Sequence, residues 1–192
     1  MTPAIIRTAP APQRWDAILR RLPEDWPLVG AEVGVWQGRM SEQLLWARPQ
    51  LKLYMVDRWL APAETDSYYT SGARMARHSQ HTFDLVKAEA ERRVFPFVGR
   101  AFILHGESVC MAERFKAGTL DFVFLDADHS YAAVTRDLQA WAPLVKRGGL
   151  LAGHDFGRTD QGDVERAVCD YLDHRARSVV TGAAWTWFWR VP

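Results

Sequence analysis

Excess charge of either sign, a cysteine framework and long apolar runs are all missing from this 192-residue chain. Each absence removes a class of function. Lysine and arginine number 24 against 23 acids, a formal charge of +1, so no general field draws nucleic acid or an anionic membrane. The basic residues are also scattered, and nucleic-acid binding is not expected. No apolar run approaches the roughly 20 residues of a membrane span, and the N-terminus lacks a signal peptide's apolar core. The expectation is a cytoplasmic protein with no membrane partner. Cys110 and Cys169 are too few and too far apart for a disulfide framework or a zinc site, and buried thiols are expected.

What the chain does contain is a regular alternation. Apolar runs at Leu28–Val33, Leu51–Val56, Ala101–Leu104, Leu120–Leu125 and Leu150–Ala152 read as buried strands. Helical spacing separates them, clearest at Tyr131, Val134, Leu138, Trp141 and Val145, with Ser130 placed as the cap. An earlier helix carries Trp15, Ile18, Leu19 and Leu22 and ends at Pro23. The tail, Ser178–Thr181 and Trp185–Val191, reads as two strands around Gly182. Successive strands pair as a hairpin, so the last one should run antiparallel.

The fold class expected is α/β: a Rossmann-like, doubly wound, mostly parallel sheet of about seven strands with helices on both faces. No linker or repeat divides the chain, so residues 1–192 read as one domain. Residues 1–27 form a lead-in and helix, and residues 58–100 a lid or substrate-side insertion bearing Trp59, Tyr68 and Tyr69. Nine tryptophans are unusual at this length, and most are expected in the core or in a pocket wall. Trp185, Trp187 and Trp189 alternate and share a sheet face, either buried in the monomer or open to a homodimer.

Ligands of such sheets sit beyond the C-terminal strand ends. The first end is a glycine turn, with Gly34 and Gly38 before a helix start whose free N–H groups attract a polar ligand. Dinucleotide sites want G-x-G-x-x-G, whereas Gly30, Gly34 and Gly38 are four apart. Asp57 closes the second strand in the position of an acid that accepts ribose hydroxyls. The fourth and fifth ends bring Asp126, Asp128, His129, His154 and Asp155 together. So many ionisable groups are costly unless hydrated, paired or bound to a cation. Carboxylates suit divalent ions, and imidazole shifts preference toward transition metals. Asp128 could instead cap the following helix. His78, His81 and His174 read as surface residues.

The run E-x-G-x-x-x-G at Glu32–Gly38, Tyr-Met-Val-Asp-Arg-Trp around Asp57, D-A-D-H-S-Y at 126–131 and G-H-D-F at 153–156 resemble class I S-adenosylmethionine-dependent methyltransferases. The likeness lies with the branch that includes small-molecule O-methyltransferases and runs from about Leu28 to the C-terminus. It implies S-adenosylmethionine bound by Glu32, Gly34, Gly38, Asp57, Glu107, Ser108 and Asp126. Glu107 and Ser108 would lie near adenine, where they could equally cap a helix. It further implies Mg or Mn held by Asp126, His154 and Asp155, and a hydroxyl on a small-molecule acceptor. A histidine can take that hydroxyl's proton at neutral pH, and His129, whose loop should face the donor side, is the expected base with His154 second. Catechol-type relatives carry Asp-Asn where this chain has His154-Asp155. Two other readings stay open: a dinucleotide-dependent oxidoreductase on the same sheet, and a non-catalytic cofactor-binding domain.

Overall fold

The computed structural model describes residues 13–63, 65, 77–158, 163–173 and 178–192. Tyr68, Tyr69 and His174 lie outside the described residues. The elements in chain order are α1 (Arg14–Leu19), β1 (Val29–Val33), α2 (Arg39–Ala47), β2 (Lys52–Asp57) and α3 (Gln80–Val94). They continue with β3 (Ala101–His105), α4 (Ser108–Ala112), β4 (Leu120–Leu125), α5 (Tyr131–Trp141), β5 (Val145–Gly153), α6 (Val164–Leu172), β6 (Val180–Thr181) and β7 (Trp187–Arg190). Short 3-10 turns follow α3 and α5, each containing a proline that cannot continue a helix.

Seven strands form one sheet in the order β3-β2-β1-β4-β5-β7-β6. β1 to β5 are parallel, and β7 runs antiparallel to both β5 and β6. Strand periodicity divides the core into two layers. On one face Phe122, Phe124, Leu53 and Met55 pack with α1, α2 and α3; on the other, Val123, Leu125, Val33 and Val56 pack with α4, α5 and α6. This is the Rossmann-like sheet with helices on both faces that the alternation predicts.

The differences are local. β5 begins five residues earlier than the apolar run, at Val145, because the 3-10 turn at Ala142–Leu144 ends the preceding helix and Gly148 (φ 73°) lets the strand bend. β7 begins at Trp187, so Trp185 is outside it: Ala184 and Trp185 both have positive φ (56° and 52°) in the hairpin turn. Trp187 and Trp189 are buried against the α6 face, while Trp185 is 56% exposed. Of the nine tryptophans only Trp59, Trp141, Trp187 and Trp189 are buried. The buried-thiol expectation is overturned as well: Cys110 is exposed and Cys169 half-buried, both lying off the apolar stripe of their helices. Residues 80–94, read as part of an insertion, form α3, whose Val86 and Ala90 pack into the core. Among the described residues no helix is long and apolar enough to cross a membrane.

Candidate active site

The parallel strands all end along one edge, and the side chains there are held by backbone geometry. β1 leads into Gly34, whose φ of 90° turns the chain while its N–H donates to the Val56 carbonyl at 2.9 Å. A Cβ at Gly34 would overlap the carbonyl of Asp126, so β1 and β4 can approach this closely only with glycine. Gly38 (φ 72°) is the N-cap of α2, and a Cβ there would meet Ala90 of α3 at 3.1 Å.

Asp57 holds this turn. Its Oδ2 accepts from the N–H groups of Val35 and Trp36, both at 2.9 Å, and its Oδ1 accepts from Trp59 at 2.8 Å. Burial pushes its pKa up, and these N–H groups work against that rise. Trp59, assigned above to the lid or substrate-side insertion, is buried, donating from Nε1 to the Trp36 carbonyl at 2.9 Å.

Glu32 points from β1 into the layer beneath the turn and accepts from the Ser41 hydroxyl of α2. It is 3% exposed, and burial pushes its pKa from 4.5 up to about 7 against the lowering pull of Ser41 and Arg14. The folded protein therefore holds more protons than the unfolded chain between about 4.5 and about 7. Stability should fall as pH rises through that window, and the loss is complete above it. Glu32→Gln keeps an acceptor for Ser41 but cannot ionise. Urea denaturation should show it more stable than wild type at pH 8, by on the order of 1–3 kcal/mol, and not at pH 4. A difference that stays flat from pH 4 to 8 would rule Glu32 out as the titrating group.

At the β3 end, His105 Nε2 lies 2.8 Å from the Arg58 carbonyl, and Glu107 pairs with Arg58 at 3.1 Å. Glu107 occupies the N-cap position of α4, without a side-chain cap bond. Ser108 accepts from Trp141 Nε1 at 2.8 Å and bonds Asp137, whose carboxyl burial pushes up to about 6. Two strands, β2 and β1, separate this corner from the β4 end.

The β4 and β5 ends carry the densest chemistry. Asp155 Oδ2 lies 3.0 Å from His154 Nδ1 and 3.1 Å from His129 Nε2, and its Oδ1 accepts from Arg158 at 3.0 Å. Asp126 Oδ1 lies 3.7 Å from the same two nitrogens, while Oδ2 accepts from Arg14. Burial alone would raise the Asp155 pKa, but His154, His129 and Arg158 outweigh it and hold the carboxyl below its ordinary value. Asp155 also has a φ of 59°, a left-handed conformation uncommon for a residue with a Cβ. Asp126, His154 and Asp155 each offer a donor atom, all within 4.8 Å of one another. The cleft beneath is lined by Val134, Asp137, Val164 and Trp187.

Asp128 accepts from the Ser130 N–H at 2.9 Å, fixing the turn into α5. Ser130 sits at the N-cap with an extended backbone, but its buried hydroxyl makes no cap bond. His78 and His81 are exposed, as expected, and His78 stacks on Trp36 with ring centroids 6.1 Å apart. Sequence reading did not single out Arg14 or Arg158. Arg14 is 112 residues from its partner and carries no local signal. Arg158 is signalled only by its i,i+3 spacing from Asp155.

A parallel sheet whose strand ends gather a glycine turn, an acid-held loop and a carboxylate–imidazole cluster defines a nucleotide-cofactor enzyme of the Rossmann-like class. Residues 31–156, more than half of the chain, match the model of the methyltransferase domain family. The chain belongs to that family of S-adenosylmethionine-dependent methyltransferases. No curated protein sequence matches it. The O-methyltransferase NovP superposes with a TM-score of 0.63 at 20% identity over 91% of this chain and 74% of its own. An S-adenosylmethionine-dependent methyltransferase from Aquifex aeolicus gives 0.54 at 15% over 89% and 85%. The pyocyanin biosynthetic protein PhzM gives 0.54 at 15%, and this chain spans 51% of its length. At these identities the structural likeness concerns the fold.

Proposed function

We propose that the chain transfers the methyl group of S-adenosylmethionine to a hydroxyl oxygen of a small molecule. The observation that supports this most is the Asp126–His129–His154–Asp155 cluster, set at the strand ends next to the glycine turn. The donor would lie along that turn, with Gly34 and Gly38 against its methionine portion and Glu32 and Asp126 near its cationic groups. Asp57 would face the ribose and Glu107 and Ser108 the adenine. The acceptor would enter from the β5–β7 side, where the exposed Trp185 ring lies 5.2 Å from the Arg158 guanidinium. The reaction class, an attack of oxygen on a sulfonium methyl, needs in-line positioning, a dry pocket and removal of one proton. His129, oriented by Asp155 through Nε2, takes the acceptor's hydroxyl proton on its other ring nitrogen, Nδ1, with His154 as the second candidate. The oxygen–methyl bond forms as the sulfur–methyl bond breaks, leaving S-adenosylhomocysteine and a methyl ether.

The residues at the β4 and β5 ends also fit a divalent cation. His154 Nδ1 lies 3.0 Å from Asp155 and 3.7 Å from Asp126, separations that suit neighbouring ligands around one ion with bonds of about 2.1 Å. His154 Nδ1 is buried and makes no well-aligned hydrogen bond despite its nearness to Asp155. Asp126, His154 and Asp155 would hold the ion, Mg or Mn. Such an ion lowers the pKa of a bound hydroxyl and orients it.

Calorimetry with S-adenosylmethionine, with NAD as the control, tests the donor. Binding of NAD alone would return the dinucleotide reading. His129→Ala should lower turnover about 10²- to 10⁴-fold, the usual range for a lost general base, while donor affinity holds. Unchanged turnover removes His129 from that role. A cytoplasmic location and a homodimer remain part of the proposal; fractionation and sedimentation would test them.

A further inference from the structure

Arg14, which precedes the segment that matches the family, reaches the crevice. It opens α1, and its Nη1 donates to Asp126 Oδ2, just beyond the end of β4. Its position is set by packing, because Ala17, Ile18 and Leu22 behind it are buried in the core with α2. The guanidinium is 41% exposed, whereas its carboxylate partner is only 10% exposed. Asp126 thus divides its two oxygens: Oδ1 faces His129 and His154, and Oδ2 faces Arg14. The charge of Arg14 also acts on Glu32, so one cation serves both acids beside the glycine turn.

We propose that Arg14 binds the carboxylate of the methionine portion of S-adenosylmethionine; this rests on the donor reading above. That end of the donor carries an ammonium and a carboxylate close to a sulfonium. Glu32 and Asp126 match the cations, but a carboxylate placed beside these two acids without a positive partner would be repelled. Among the described residues, Arg14 is the lysine or arginine that pairs with Asp126. Arg58 pairs with Glu107 and Arg158 with Asp155. A planar guanidinium suits a carboxylate, and two of its edges can serve Asp126 and the ligand together. Without ligand, Arg14 balances Asp126. With ligand bound, the donor's ammonium joins that balance and Arg14 meets the carboxylate.

The test compares S-adenosylmethionine with its decarboxylated analogue, which keeps the amine and the sulfonium, by calorimetry on wild type, Arg14→Gln and Arg14→Lys. Wild type should prefer the full donor by about 10- to 100-fold, the range of one charge-assisted contact. Arg14→Gln should bind both ligands alike, and Arg14→Lys should keep part of the preference. The Lys variant decides the matter if the Gln variant does not fold. A Gln variant that retains the wild-type preference overturns the role, as does a wild type that binds both equally. A wild type that binds neither defeats the donor reading itself, and the role of Arg14 with it.

Discussion

Replacing Gly34 by alanine should cost at least about 3 kcal/mol of folding stability and remove donor binding together with it. Two effects add. A φ of 90° is strained for any residue with a Cβ, a cost of about 1–2 kcal/mol. The added methyl would also overlap the Asp126 carbonyl, which is backbone and cannot swing aside. Relief would require β1 and β4 to part where Asp126 N–H donates to Val33 at 2.8 Å, so the whole crevice edge would move. Against a typical total of about 5–15 kcal/mol, much of the protein's stability is at stake. Urea denaturation of the variant measures it. A loss under 1 kcal/mol would show that the two strand ends are not in close contact.

Asp155→Asn should lower turnover by about 100-fold or more and abolish binding of Mg or Mn to the purified protein. Asparagine tolerates the left-handed φ of 59°, and its amide oxygen can still accept from Arg158, so the backbone should stay in place. What goes is the negative charge 3.0 to 3.1 Å from two imidazoles. The same substitution has a pH signature. The folded pKa of Asp155 is lowered, so its pairing stabilises fully above the unfolded value and is lost as pH falls through the folded one. The Asn variant should therefore lose less stability than wild type on acidification. Calorimetric metal titration, an assay with and without chelator, and melting curves at several pH values check the three parts. Wild-type turnover and metal affinity in the Asn variant would remove Asp155 from the site.

Local pattern carried the architecture. Five apolar runs became the parallel strands because a strand buried on both faces needs no alternation of polar and apolar residues. The hairpin needed only two successive strands around Gly182. The pattern failed where a turn overrode propensity. Trp185 belongs by composition to a strand, but two consecutive left-handed residues hold it in the loop, half exposed beside Arg158. Cys110 and Cys169 show the same limit, since a residue type's average burial does not say which side of a helix it occupies.

By itself the sequence determined which chemical groups stand at the strand ends. Strand alternation and glycine spacing are local properties, and each of Glu32, Gly34, Asp57, Asp126, His129, His154 and Asp155 falls at or beside such an end. Tertiary structure decided what those groups touch. Asp57 carries the glycine turn on three backbone N–H groups, Ser108 is tied to Trp141, and Asp155 gathers two histidines and an arginine. Arg14 reaches Asp126 across 112 residues. The reason is one of range. Propensity and periodicity act over a few residues, whereas ion pairs and close backbone approach depend on distances of a few ångströms that only the packed sheet and its two helix layers set.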